Sequence, residues 1–150
     1  LLSQNWPNIF QMIGTDKFIQ EYSLVAKVAA ASLMLLVIML VLLRNWEMSG
    51  EGIWYVGLVL SILIPYAMPQ MDERAGLLSC VLYLLFAMKH PDLYYLAIVQ
   101  VIITYISFSA YFRGESVIPL SAVALAELFV LLLTIRRADH AFKVQQEEAR

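Results

Sequence analysis

The stretch IPYAMPQMDERAGLLSCVLYLLFA, residues 64–87, joins two apolar runs through a short segment that holds charged residues and prolines. The charged residues stand together at 72–74, where a plain turn would hold Ser, Gly or Asn. Pro65 and Pro69 lie just before them and are expected to end the first run as a helix. The stretch therefore predicts two antiparallel helices joined by a bend that carries charge.

The composition of the whole chain favours lipid, rather than a globular core, as the surroundings of these runs. Of 150 residues, 61% are hydrophobic and 15% are charged, whereas soluble domains have about 45–50% and about 25%. A small domain has too little interior to bury so much apolar surface. The formal charge of −2 provides no basic surface for nucleic acid. We therefore expect an integral membrane protein whose partners include membrane lipids but no nucleic acid.

Five apolar segments approach or reach the length of a spanning helix, about 17–25 residues. The short connections between them predict an all-α, polytopic transmembrane bundle of about five spanning helices with antiparallel neighbours. The segments are residues 24–43, 53–69, 75–88 with its charged ends, 93–112 and 117–135. We expect an outward loop or interfacial helix over 1–22, the bundle over 23–136 and a cytoplasmic tail over 137–150.

The positions of Lys and Arg predict the orientation, because cytoplasmic loops carry more of them. With a cytoplasmic C-terminus, the ten basic residues divide into six inside and four outside. The inner six are Arg44, Lys89, Arg136, Arg137, Lys143 and Arg150, and the outer four are Lys17, Lys27, Arg74 and Arg113. The sequence therefore predicts a multi-pass protein with residues 72–74 facing outwards and a solvated cytoplasmic flank after residue 136.

Glu127 stands near the middle of the last apolar segment. A carboxylate at that depth costs about 2.5–3.5 kcal/mol on insertion scales, so we expect it to face the bundle, protonated or hydrogen-bonded. Gln100 and Ser107 are the expected partners. Two interpretations stay open: a hydrogen bond that packs helices together, or an intramembrane polar site that relays protons or ions.

The charged triplet also has two interpretations. At an ordinary membrane boundary, Asp72 and Glu73 favour the dipole of the helix that follows them, although Arg74 opposes it. In a binding site, the helix N-terminus offers free N–H groups to a phosphate, and the guanidinium of Arg74 adds a planar fork. The carboxylates then accept sugar hydroxyls, pair with Arg74 or hold a divalent cation against the phosphate. Such a site suits an anionic lipid head group.

The segments PQMDER (69–74) and SQNWPNIFQMIG (3–14) resemble elements of GT-C glycosyltransferases, polytopic enzymes that use polyprenyl-phosphate or dolichyl-phosphate sugars. PQMDER (69–74), with the leucine-rich run after it, resembles the family segment LPxMHERYF. SQNWPNIFQMIG (3–14) resembles the family element NxPNIYxLL, which lies in an outward loop. The resemblance covers roughly residues 1–112, and the two motifs occur in the family's order.

The resemblance implies an enzyme of the bacterial cytoplasmic membrane or the endoplasmic reticulum that transfers a sugar on the outer or lumenal face. Its partner would be a lipid-linked sugar donor, and Glu73 and Arg74, beside Asp72, would bind the donor's phosphate and sugar. The chain departs from the family where Asp72 replaces a histidine and Ala75 replaces an aromatic residue.

The resemblance also implies that the chain is the C-terminal part of a longer enzyme. The family's catalytic carboxylate belongs to an earlier outward loop, so we expect no catalytic residue in this chain and no activity from it alone. The first residue, Leu1, agrees with that expectation. The alternative is a small non-enzymatic membrane protein, such as a transporter or assembly subunit, with Glu127 as its functional group.

Overall fold

The computed structural model describes residues 6–13, 23–43, 50–69, 71, 74–114 and 116–148. Within these ranges the chain is all-helical and contains no strand. The helices are α1 (Ile9–Ile13), α2 (Ser23–Leu43), α3 (Gly50–Ala67), α4 (Ala75–Lys89), α5 (Tyr94–Arg113) and α6 (Leu120–Glu148), with a 3-10 turn at Pro91–Leu93. The five long helices match the five apolar segments predicted from the sequence.

Two of the described helices are long and apolar enough to cross a membrane. They are Gly50–Ala67, which is α3, and Pro91–Arg113, which is α5 with the turn before it. The apolar stretches Leu24–Leu40 and Ala75–Lys89 are shorter. Large apolar side chains also lie exposed on the outside of the bundle, among them Leu78 at 61%. The structure thus supports association with a membrane, and the number of spans remains a prediction.

Helices α3 to α6 form the core of the bundle. α3 packs against α4 and α6, and α5 packs against α4 and α6. Glu51 at the start of α3 lies 3.1 Å from Lys89 at the end of α4, so these two helices run antiparallel. Asp92, just before α5, lies 3.4 Å from Arg137 in the second half of α6. We call this end of the bundle, where Glu51, Lys89, Asp92 and Arg137 lie, the charged end.

Pro65 lies inside α3 and does not end the helix, contrary to the sequence-based prediction. A proline removes one helical hydrogen bond, the one that its own N–H would donate to residue 61. The ladder resumes at once, because the N–H of Met68 donates to the carbonyl of Ile64 at 2.9 Å. α3 ends at Ala67, two residues before Pro69. Near a helix end, the loss of one bond is tolerated.

α6 continues through the charged segment that the sequence analysis separates as a tail. The helix runs unbroken from Leu120 to Glu148. Ala138 is 1% exposed and Phe142 is 4% exposed, and both belong to the main hydrophobic core. A fully solvated flank would leave both side chains in water. Their spacing of four residues puts them on one face of the helix, and this face extends the core beyond residue 136.

Candidate functional site

Trp6 is completely buried, and the sequence did not predict which residue it contacts. Its six-membered ring lies against the backbone of Gly76, in the first turn of α4, so closely that a Cβ at position 76 would overlap the ring. Only glycine permits such an approach. The contact holds the segment before α1 against the start of α4. We call this end of the bundle, opposite the charged end, the indole end.

α1 fixes the same segment to two more helices. Asn8 is completely buried, and its Oδ1 accepts a hydrogen bond from the N–H of Phe10 at 3.2 Å. This bond caps α1. The hydroxyl of Tyr66, near the end of α3, donates to Sδ of Met12 at 3.3 Å. α1 also packs on α6, so residues 6–12 connect α3, α4 and α6.

Arg74 is the N-cap residue of α4. Its carbonyl accepts the N–H of Leu77 at 3.1 Å, and its side chain is exposed and makes no capping bond. The chain thus places an arginine at the N-cap of α4, and a helix N-terminus next to a basic residue suits an anion. Asp72 and Glu73, the other two predicted site residues, lie outside the described residues. The predicted divalent-cation site depends on these two carboxylates and therefore stays a prediction.

A chain of buried hydrogen bonds crosses three helices beneath this first turn. Nε2 of Gln100 donates to Oγ of Ser79 at 2.9 Å and to Oε1 of Glu127 at 3.1 Å. Oγ of Ser79 in turn donates to the carbonyl of Gly76 at 2.9 Å. The side chains of Ser79, Gln100 and Glu127 are all 0% exposed. The predicted bond between Glu127 and Gln100 is present, whereas Ser107 bonds a carbonyl of its own helix.

Two acceptor atoms of this network, Oε2 of Glu127 and Oε1 of Gln100, have no hydrogen-bond partner among the described residues. None of the ion pairs described in the bundle includes Glu127. An ionised carboxylate would thus be buried without a counter-charge, which is costly. A neutral carboxylic acid removes that cost. Within the described ranges, no group of three metal-ligating side chains occurs.

The hydrogen bonds also set the relative heights of the helices. Ser79 lies four residues after the start of α4, while Gln100, bonded to it, lies 13 residues before the end of α5. The difference of nine residues means that α5 extends about 13 Å beyond the start of α4, at 1.5 Å per residue. α4 therefore begins in a recess at the indole end, and Trp6 packs into the same recess.

An apolar cavity lies beside this recess, between α1, α2, the end of α3 and α6. Its volume is ≈ 450 Å³, and the hydroxyl of Tyr66 is the one polar side-chain group among its lining residues. On α2 the lining runs from Ala26 to Val37, about 16 Å along the helix axis. A smaller cavity of ≈ 90 Å³ shares Val37 and Ile135 with it and continues towards the charged end. Phe10 of α1 also lines the larger cavity.

No protein-family model, no curated protein and no solved structure matches this chain. The function therefore has to be inferred from the chemistry of the indole end. An arginine begins a recessed helix, a buried polar network lies beneath it, and an apolar cavity lies on the other side of residues 6–10. Such an arrangement suits an amphiphile that has an anionic group and a long apolar chain.

The sequence analysis missed the contact of Trp6 with Gly76 and the part played by Ser79. One signal was present, because an isolated glycine in a helical pattern often marks a close approach. Gly76 stands at the start of a leucine-rich helix. The residue that approaches it comes from a distant part of the chain, and no pattern in the sequence pairs the two.

Proposed function

We propose that this chain is the C-terminal membrane portion of a GT-C-type glycosyltransferase, which moves a sugar from a polyprenyl-phosphate donor to an acceptor on the outer face of the membrane. The proposal starts from the resemblance of residues 3–14 and 69–74 to two family motifs. The observation that supports it most is the contact between Trp6 and Gly76. That contact brings the two segments together, although they are far apart in the sequence.

In this proposal the start of α4 binds the phosphate of the donor. The N–H groups of the first turn and the guanidinium of Arg74 donate hydrogen bonds to the phosphate oxygens. When the bond between the anomeric carbon and the phosphate oxygen breaks, negative charge grows on the departing polyprenyl phosphate. Arg74 stabilises that charge, and Glu73 and Asp72 position Arg74 or the sugar. A carboxylate outside this chain deprotonates the acceptor hydroxyl.

The apolar cavity suits the prenyl chain of the same donor. A prenyl chain makes no hydrogen bonds and is stabilised by apolar contact, and the cavity wall offers little else. Residues 6–10 lie between the cavity and the start of α4, because Trp6 contacts Gly76 and Phe10 lines the cavity. The proposal assigns the prenyl chain to the cavity and the phosphate to Arg74, at the same end of the bundle.

The experiment that tests the proposal measures sugar transfer by the full-length protein from polyprenyl-phosphate sugars. Arg74→Gln removes the charge that stabilises the leaving group, so kcat is expected to fall about 10²–10³-fold. Arg113→Gln is the matched control, because it removes an exposed positive charge from the end of α5 at the same end of the bundle. Glu73→Gln should also reduce transfer. Near-normal turnover in both the Arg74 and Glu73 variants would contradict the proposed phosphate site.

A second candidate function is ion or proton transport by a non-enzymatic membrane protein. It is favoured by Glu127, whose Oε2 is buried and has no partner among the described residues. Ionisable groups inside a membrane bundle commonly mark the path of a proton or an ion. In vesicles that contain the full-length protein, flux that is abolished by Glu127→Gln would favour transport. Sugar transfer that survives the same substitution would favour the glycosyltransferase.

A further inference from the structure

A second polar feature lies at the charged end, far from the indole end. A cavity of ≈ 360 Å³ opens between the start of α5 and the middle of α6. Its lining residues are Tyr95, Leu133, Arg136, Arg137 and His140. Among the described residues no acidic side chain lines it, and its tyrosine and three basic side chains supply hydrogen-bond donors. We call it the basic pocket.

Two carboxylates near the basic pocket are paired with basic side chains, one of which, Arg137, itself lines the pocket. Asp92 lies 3.4 Å from Arg137, and Asp139 lies 2.8 Å from Lys143. Arg136 is exposed and has no acidic partner among the described residues. Among the described residues, Arg136 therefore gives the pocket a positive charge that no ion pair neutralises.

The pocket is amphipathic along the direction of the helices. Tyr95 lies in the first turn of α5, at one edge of the candidate span Pro91–Arg113. Leu133 lies about one turn of α6 before Arg136, towards the apolar middle of the bundle. The guanidinium-bearing Arg136 and the imidazole-bearing His140 lie further along α6, towards the end of the bundle. The wall thus changes from apolar to basic at the level where a membrane would end.

We propose that the basic pocket binds the phosphate of an anionic phospholipid at the face of the membrane opposite the indole end. Arg136 and His140 hold the phosphate oxygens, and Tyr95 donates its hydroxyl from the side. Leu133 and the ring of Tyr95 contact the glycerol and the first methylenes of the acyl chains. A soluble phosphate would leave these apolar walls without a partner. Basic pockets between helices at a membrane surface bind such head groups. This proposal requires a membrane but does not depend on glycosyl transfer.

The test compares two short-chain lipids on the full-length protein in detergent. Native mass spectrometry measures the binding of dioctanoyl phosphatidylglycerol, which has a net negative charge, and of dioctanoyl phosphatidylcholine, whose phosphate charge is balanced by a quaternary ammonium. The wild-type protein should prefer phosphatidylglycerol. Arg136→Gln should weaken phosphatidylglycerol binding about fivefold, the effect of one basic residue near an anionic surface. Arg136→Lys keeps the charge and should restore part of the loss.

Lys143→Gln is the matched control. Lys143 lies on α6 about two turns beyond Arg136, on a similar side of the helix, but is paired with Asp139 and does not line the pocket. Its substitution should leave the lipid preference unchanged. Equal losses in the Lys143 and Arg136 variants would overturn the proposal, since they would indicate a diffuse attraction. Inorganic phosphate that displaces phosphatidylglycerol at equal concentration would overturn the assignment to a lipid.

Discussion

At the indole end of the bundle, the ring of Trp6 lies against Gly76, and buried hydrogen bonds lead inwards to Glu127. At the charged end, exposed side chains form ion pairs, such as Lys89 with Glu51, and a basic pocket remains open. The indole end depends on shape, because buried groups must fit and must be hydrogen-bonded. At the charged end the stabilising groups are exposed ion pairs, and their substitution changes the free energy of unfolding only a little. Substitutions should therefore have larger effects at the indole end.

The largest effect on stability is expected from one added methyl group. Gly76→Ala puts a Cβ into the space of the Trp6 ring, and such overpacking lowers the free energy of unfolding by about 1–3 kcal/mol. Gly57→Ala is the matched control, since nothing lies within 4 Å of a Cβ at that position in α3. It should raise the free energy of unfolding by about 0.5–1 kcal/mol. Unfolding in detergent measures both, and equal stability of the two variants would show that the indole contact is absent.

The next effect concerns the buried network. Glu127→Leu leaves an N–H of Gln100 without its acceptor, and an unsatisfied buried donor costs about 1–3 kcal/mol. Glu127→Gln keeps an acceptor in place and should retain most of the stability. Combining Glu127→Leu with Gln100→Leu removes both partners and should recover part of the loss. If the two single variants and the double variant have the same free energy of unfolding, the hydrogen bond does not stabilise the bundle.

The smallest effect is expected at the charged end. Glu51→Gln removes the ion pair with Lys89, whose side chains are 43% and 56% exposed. Exposed pairs contribute at most about 1 kcal/mol, and salt screens them. Unfolding measured at low and high salt should show a small loss that shrinks as salt is added. A loss as large as that of Gly76→Ala would mean that the two ends do not differ as described.

The sequence could predict features that depend on a single segment, but not contacts between distant segments. The five long helices and the bond between Glu127 and Gln100 followed from the cost of exposing backbone and charge to lipid, a rule that acts on each segment alone. The contact of Trp6 with Gly76 depends on two distant segments meeting, and the burial of Phe142 depends on what lies opposite α6. Neither partner is encoded near the residue concerned, so composition and spacing could not indicate them.

The central claim is that residues 6–10 are held against the start of α4, and the fluorescence of Trp6 tests it most directly. In a full-length protein with Trp46→Phe and Trp54→Phe, and any tryptophan outside this chain also replaced, Trp6 becomes the sole indole. Because Trp6 is completely buried, we predict that it resists quenching by aqueous acrylamide and by brominated lipid. Gly76→Ala should increase quenching, and Gly57→Ala should not. A Trp6 that is quenched freely before any change at Gly76 would contradict the account.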